Sequence, residues 1–200
     1  MSREIVARFV PAIDEDLTSY RAVSEALSSA ECSVEALPSI ARTLAALHSK
    51  TRHPGDELKR DDRKRELAAR VFATEPGARA SNTDELSSAF KACDETVTHG
   101  NFSDDSVLVD GSGDVKVVDW SHSCTGPRSF DVGCFVASLF LLYYRHEAAN
   151  ERQAMYSLVD GCKHFVQTYV ESLPQEWRPA DGSQFYSDVA GYAGVWLAYR

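Results

Sequence analysis

From Phe130 to His146 the chain reads FDVGCFVASLFLLYYRH. As a helix this stretch is apolar on nearly every side, and a helix of that kind has to be buried among other elements. Its longest apolar run, Cys134 to Tyr144, contains Ser138 and falls far short of the ~20 residues a membrane span needs. The helix is therefore expected to be covered by protein, with no membrane partner, and the rest of the chain must supply the cover.

Most of the cover reads as helix. Asp14 to Ser29 sets Leu17, Tyr20, Val23, Ala26 and Leu27 near a 3.6-residue period. Ser39 to Lys50 sets Ile40, Leu44 and Leu47 on one face with His48 beside them, and Pro38 suits a first helical turn. Asp56 to Arg70 alternates charge sign, the pattern of a solvated helix with i,i+4 pairs. Asn82 or Thr83 caps a helix running to about Thr96, with Asp84 and Glu85 in its first turn. Asn150 to Leu173 and Gln184 to Arg200 are further helices, and Glu4 to Ala12 is an edge strand or lead-in. Against this background Ser106–Asp110 and Val115–Asp119 are short β-branched runs joined by Gly111-Ser112-Gly113, which predicts a hairpin. The fold class is mainly α (α+β), with one hairpin on a helical body.

Two hundred residues allow one ordinary domain or a little more. A net charge of -9 argues against nucleic acid as the main partner, since phosphate backbones need clustered Lys and Arg. Five cysteines, with no CxxC pair and no apolar leader behind Met1, point to reduced thiols and a cytoplasmic setting. The histidines have no zinc spacing. Gly111-Ser112-Gly113, flanked by Asp110 and Asp114, is a turn and not a phosphate cradle.

The hairpin is where chemistry can gather. His99-Gly100-Asn101 precedes its first strand, Ser106 opens that strand, and Asp119 ends the second. The loop before the first strand and the end of the second share one end of a hairpin, so polar groups at 101, 106 and 119 converge. Oxygen ligands there suit Mg²⁺, which takes one or two carboxylates together with substrate phosphates. That is equipment for phosphoryl transfer. Trp120 reads as packing, and Asp131 as the N-cap of the apolar helix.

These residues resemble the aminoglycoside phosphotransferase and choline kinase family, and within it the methylthioribose kinases. That family carries His-Gly-Asp, four residues, then Asn or Ser, with Asp-x-Glu after the hairpin. Here the runs are THGNFSDDSVLV and VKVVDWSHSCTGPRSFDVG. ARTLAALHSKT at 41–51 resembles the family's early large-lobe helix, and GYAGVWLAYR its last helix, whose arginine pair is matched only by Arg200, with Tyr199 at the other place. The resemblance covers roughly residues 36–200. It implies the helical large lobe of a protein-kinase-like fold over 36–200, with its catalytic-loop hairpin, and a hinge segment with a first helix over 1–35. It implies ATP and Mg²⁺ as cofactors and phosphorylation of a small sugar hydroxyl, methylthioribose-like. Ser106 and Asp119 would hold the metal, His99 and Asp131 would brace the catalytic loop, and Arg200 would face the substrate or its phosphate.

Three departures follow. The family's catalytic aspartate is Asn101 here, and an amide takes up no proton at neutral pH; general-base help is worth ~10²–10⁴ in rate. The second metal carboxylate is Ser121. Asp104 and Asp105 read as solvated loop charges, too displaced along the loop to substitute. The length also leaves no room for the family's preceding small lobe with its glycine-rich loop and lysine. An inter-lobe face left uncovered would be expected to take a partner or a second copy. The expectation is a catalytically impaired small-molecule kinase, with a pseudokinase acting as a binding or scaffolding module as the alternative.

Overall fold

The computed structural model describes residues 10, 15–29, 33–55, 61–73, 82–180 and 183–200. Apart from Val10, the strand or lead-in expected at Glu4 to Ala12 lies outside them. In chain order the elements are β1 (Arg21–Ala22), α1 (Val23–Ser28), α2 (Leu37–Lys50), α3 (Asp61–Val71), α4 (Thr83–Ala92), β2 (Thr96–Thr98), β3 (Val107–Val109), β4 (Val115–Val117), β5 (Cys124–Gly126), α5 (Arg128–Ala148), α6 (Arg152–Ser172) and α7 (Gln184–Tyr199). Single 3-10 turns lie at Trp120–His122 and Gln175–Trp177.

The apolar stretch is α5, and every residue from Arg128 to Leu139 is buried. α6 and α7 flank it, and α2 packs on α6. At Gly133 a Cβ would stand 2.8 Å from the Tyr192 Cβ and 2.9 Å from the Val189 carbonyl oxygen, so α5 and α7 meet backbone to backbone. Phe130 lies between Phe90 (4.7 Å) and Tyr192 (5.4 Å), and Phe135 against Phe165 (4.6 Å). The expected all-round burial holds for the first turns only, because Phe140, Leu141 and Tyr144 in the outer half are exposed.

The β3–β4 hairpin pairs Val107 with Val117 and Val109 with Val115. Its turn is tied by Asp110, whose Oδ1 accepts from the Ser112 and Asp114 amides and the Ser112 hydroxyl. β1 adds a third strand, pairing Arg21 with Val109 and Ala22 with Leu108. This pairing corrects the helix expected from Asp14, which begins only at Val23. The sheet edge takes residues 21–22, and the preceding segment is held by Lys116–Glu15 (2.7 Å) and by the Tyr20 hydroxyl donating to Asp114 (2.6 Å).

A second, two-stranded sheet pairs Thr96 with Gly126 and Thr98 with Cys124. It corrects the expectation of a helix running to about Thr96, since residues 96–98 form a strand. Both strands are three residues long and buried throughout, so neither shows the alternation that marks a strand in sequence. α3 departs from the solvated reading at Lys64, which is buried with its ammonium on Asp94 (2.7 Å). Arg63 on the same helix donates to the Ser121 carbonyl (2.9 Å) and ties α3 to the hairpin end.

Candidate functional site

The loop that leaves β2 turns at Gly100, where φ is +85° and a Cβ would stand 2.3 Å from the His122 carbonyl oxygen. Only glycine serves there, on both counts. Behind this turn lies Asp131. The expected N-cap role is corrected, because α5 starts at Arg128 with Pro127 as its cap and Asp131 sits within the first turn. Its carboxylate points off the helix. Oδ2 accepts the His99 amide (2.7 Å), and Oδ1 accepts the Gly100 amide (3.0 Å). Oδ2 also accepts from the His48 Nε2–H (3.2 Å), while the other His48 nitrogen, Nδ1, accepts from the Tyr169 hydroxyl (2.8 Å). Burial pushes the Tyr169 phenol well above its ordinary pKa, so it stays a donor. All three side chains of this line are buried, and together they fix the loop backbone from α2, α5 and α6.

His99 is buried in the same wall. Its Nε2–H donates to the Val118 carbonyl (2.9 Å), and Nδ1 accepts the Asn101 amide (3.3 Å). Those partners assign the tautomer. Burial, the largest influence on it, lowers its pKa from 6.5, which keeps the ring neutral. The Trp120 indole packs edge-on against the ring at 4.8 Å.

Ser106 closes the loop. Its hydroxyl accepts the Ser103 amide (2.9 Å) and lies 3.0 Å from both the Asn101 and Ser103 carbonyls. Its carbonyl accepts the Val118 amide (2.9 Å). His99, Asn101, Ser106 and Asp119 are thereby brought to one end of the hairpin. Asp119 is exposed and left-handed (φ 59°, ψ 63°), a conformation uncommon outside glycine. The Ser121 hydroxyl donates to its Oδ1 (2.6 Å), and this bond is the main reason its pKa is lowered. The carboxylate is therefore ionised. Asp105 is exposed, but Asp104 is buried, which corrects its reading as a solvated charge. Its amide donates to the Ser138 hydroxyl (3.3 Å), and burial raises its carboxyl pKa.

The front of the loop opens on a cleft of about 110 Å³ lined by Gly100, Asn101, Arg70, His122, Tyr199 and Arg200 with apolar neighbours. Arg200, brought in by the end of α7, lies over the Trp196 ring at 4.4 Å. Arg70, from the last turn of α3, donates to the Tyr199 hydroxyl (2.8 Å) and lies 3.3 Å from the His122 ring nitrogens. Sequence reasoning missed Arg70, since a charge-alternating stretch gives no sign that one cation turns inward. It also missed Tyr169, which is 121 positions from the histidine it supports. His48 did leave a trace, as a polar residue beside an apolar helical face.

Among the described residues no group of three or more His, Cys, Asp or Glu side chains converges as a metal site. The donor set at the hairpin end is one ionised carboxylate, Asp119, with a hydroxyl lone pair at Ser106. That set is too sparse to retain an ion alone. It fits a Mg²⁺ that arrives with phosphate oxygens and water completing its octahedron.

Residues 15–167 match the model of the phosphotransferase enzyme family (APH). A methylthioribose kinase of Bacillus cereus (strain B4264) is 28% identical over 116 residues, covering 53% of this chain and 29% of that protein. A methylthioribose kinase of Bacillus velezensis is 28% identical over 125 residues, covering 58% of this chain and 31% of that protein. The chain thus spans under a third of the length of these curated relatives. The solved structure of a glucosamine kinase (crystal form B) superimposes with a TM-score of 0.52 at 13% identity, over 92% of this chain and 53% of that one. That likeness speaks for the kinase-like, mainly helical fold. No helix among the described residues is long and apolar enough to cross a membrane.

Proposed function

The chain belongs to the phosphotransferase enzyme family, and from that premise we propose that its hairpin end takes Mg²⁺–ATP and places the terminal phosphate beside a small sugar-type hydroxyl compound, with transfer held down at Asn101. Residues 36–200 form the lobe that does this, and residues 1–35 lead into it. Asp119 and Ser106 hold the metal that comes with the nucleotide. Magnesium, once bound, neutralises phosphate charge, while the chain's residues orient and position the reactants. His99 and Asp131 act through the loop backbone and keep residue 101 at the mouth of the cleft. Arg200 faces the acceptor or the phosphate in transit.

The observation that carries this reading is the contrast at residue 101. The loop is fully braced from behind, yet the side chain it presents is an amide. An amide hydrogen-bonds a hydroxyl but accepts no proton from it, so the rate falls while binding persists. Ser121 favours the second reading, a pseudokinase used as a binding or scaffolding module, because its hydroxyl ties up Asp119 Oδ1 where the family has a second carboxylate.

Calorimetric titration with ATP tests the first part: binding is expected to need Mg²⁺ and to weaken at least about tenfold in Asp119→Asn. Transfer to a small hydroxyl acceptor, assayed both with methylthioribose, the compound in the relatives' names, and with the acidic gluconate, tests the second. Asn101→Asp is expected to raise turnover ~10²–10⁴-fold. Absence of Mg²⁺-dependent ATP binding would overturn the nucleotide site. Tight binding with no turnover in Asn101→Asp would favour the scaffolding reading.

A further inference from the structure

The cleft in front of Asn101 has a chemical character of its own. The chain carries a net charge of -9, yet the lining of this concavity includes two arginines, Arg70 and Arg200, and no aspartate or glutamate. Among the described residues neither arginine has an ion-pair partner. Arg70 is positioned by the Tyr199 hydroxyl and the His122 ring, neither of which carries a negative charge, so its charge is aimed without being cancelled. Arg200 rests on the Trp196 face; the buried Asp104 acts on it electrostatically but forms no ion pair with it. Residue 101 contributes an amide where a carboxylate would repel an anion. The opposite wall is the Gly100 turn, too close to the His122 carbonyl for any side chain.

We propose that this cleft binds an oxyanion, a carboxylate or phosphate monoester, carried by the small-molecule acceptor, and so selects an acidic hydroxyl compound over a neutral one. Guanidinium forks match such groups through paired N–H donors, and a space of about 110 Å³ takes one compact group. The acceptor is favoured over the nucleotide as the source of the anion, because Asp119, where the nucleotide's metal is placed, does not line the cleft. That the anion belongs to an acceptor rests on the proposed phosphoryl transfer; the oxyanion site itself does not.

The test is calorimetric titration of the full chain with inorganic phosphate, without nucleotide. Phosphate is expected to bind, and binding to weaken about tenfold or more in Arg70→Gln and in Arg200→Gln, with Arg70→Lys intermediate. Far-UV circular dichroism of each variant confirms that the helices are retained. Gluconate is expected to compete with phosphate and glucose is not. Phosphate affinity is expected to be unchanged in Asp119→Asn and in the presence of Mg²⁺–ATP. No phosphate binding, equal binding by well-folded Arg70→Gln and Arg200→Gln, or equal competition by glucose would overturn the proposal. Displacement of phosphate by Mg²⁺–ATP would reassign the anion to the nucleotide and overturn its placement on the acceptor. If ATP fails to bind at all, the nucleotide reading fails, while the phosphate and gluconate titrations still decide the oxyanion site.

Discussion

The two sides of the loop from His99 to Ser106 are built differently. Behind it, Tyr169, His48 and Asp131 form a buried line in which each group has a partner, and the line ends on two loop amides. In front, Asn101 lines a cleft, and the exposed Asp119 is held by one serine hydroxyl. Buried polar groups are expensive to leave unpaired, whereas exposed ones turn to water at little cost. The back therefore tolerates almost no change in chemistry, and the front tolerates much. Residues at the front report on what is bound, and residues at the back on whether the loop exists at all.

Substitutions can break this division, and the largest effect is expected at Asp131. Asp131→Ala orphans two buried amides and the His48 imidazole, and urea denaturation should show a loss of about 3–5 kcal/mol. A loss under about 1 kcal/mol would mean the loop holds itself. The next effect is one of pH. His99 is neutral in the folded chain, with its pKa lowered from 6.5, so the unfolded chain binds the proton first as the pH falls. Stability should therefore decline as the pH drops below about 6.5, by at most about 1.4 kcal/mol per pH unit from this group, and His99→Gln should flatten that part of the profile. Tyr169→Phe removes one hydrogen bond and should cost about 1 kcal/mol by thermal or urea unfolding, from a position far from the cleft in sequence. At the front, Ser121→Glu should leave stability within about 0.5 kcal/mol while tightening Mg²⁺-dependent nucleotide binding. A large stability change there would erase the distinction between the two sides.

Legibility in the sequence followed the same division. The front was readable because its residues lie close in the chain: positions 99 to 121 hold the whole hairpin end, and a hairpin brings its ends together whatever surrounds it. The large helices were readable because twenty-odd residues of periodic pattern outweigh local ambiguity, as in α5 and α6. The back was not. Asp131 looked like a helix cap because capping is what an acidic residue at a helix start ordinarily does, and nothing local says that its carboxylate reaches 31 or 32 positions back. β2 and β5 were hidden by their brevity and complete burial, and β1 by an apolar spacing that fitted a helix equally well. Arg70 lay inside a charged stretch whose ordinary fate is solvent.

The contact between Gly100 and His122 has a mechanical consequence. Two stretches of main chain meet there with no room for even a methyl group, so the turn and the hairpin exit travel as one rigid piece. Swinging the loop to widen the cleft would disturb this contact, whereas the Arg70 and Arg200 side chains, carried at helix ends, can be repositioned without touching it.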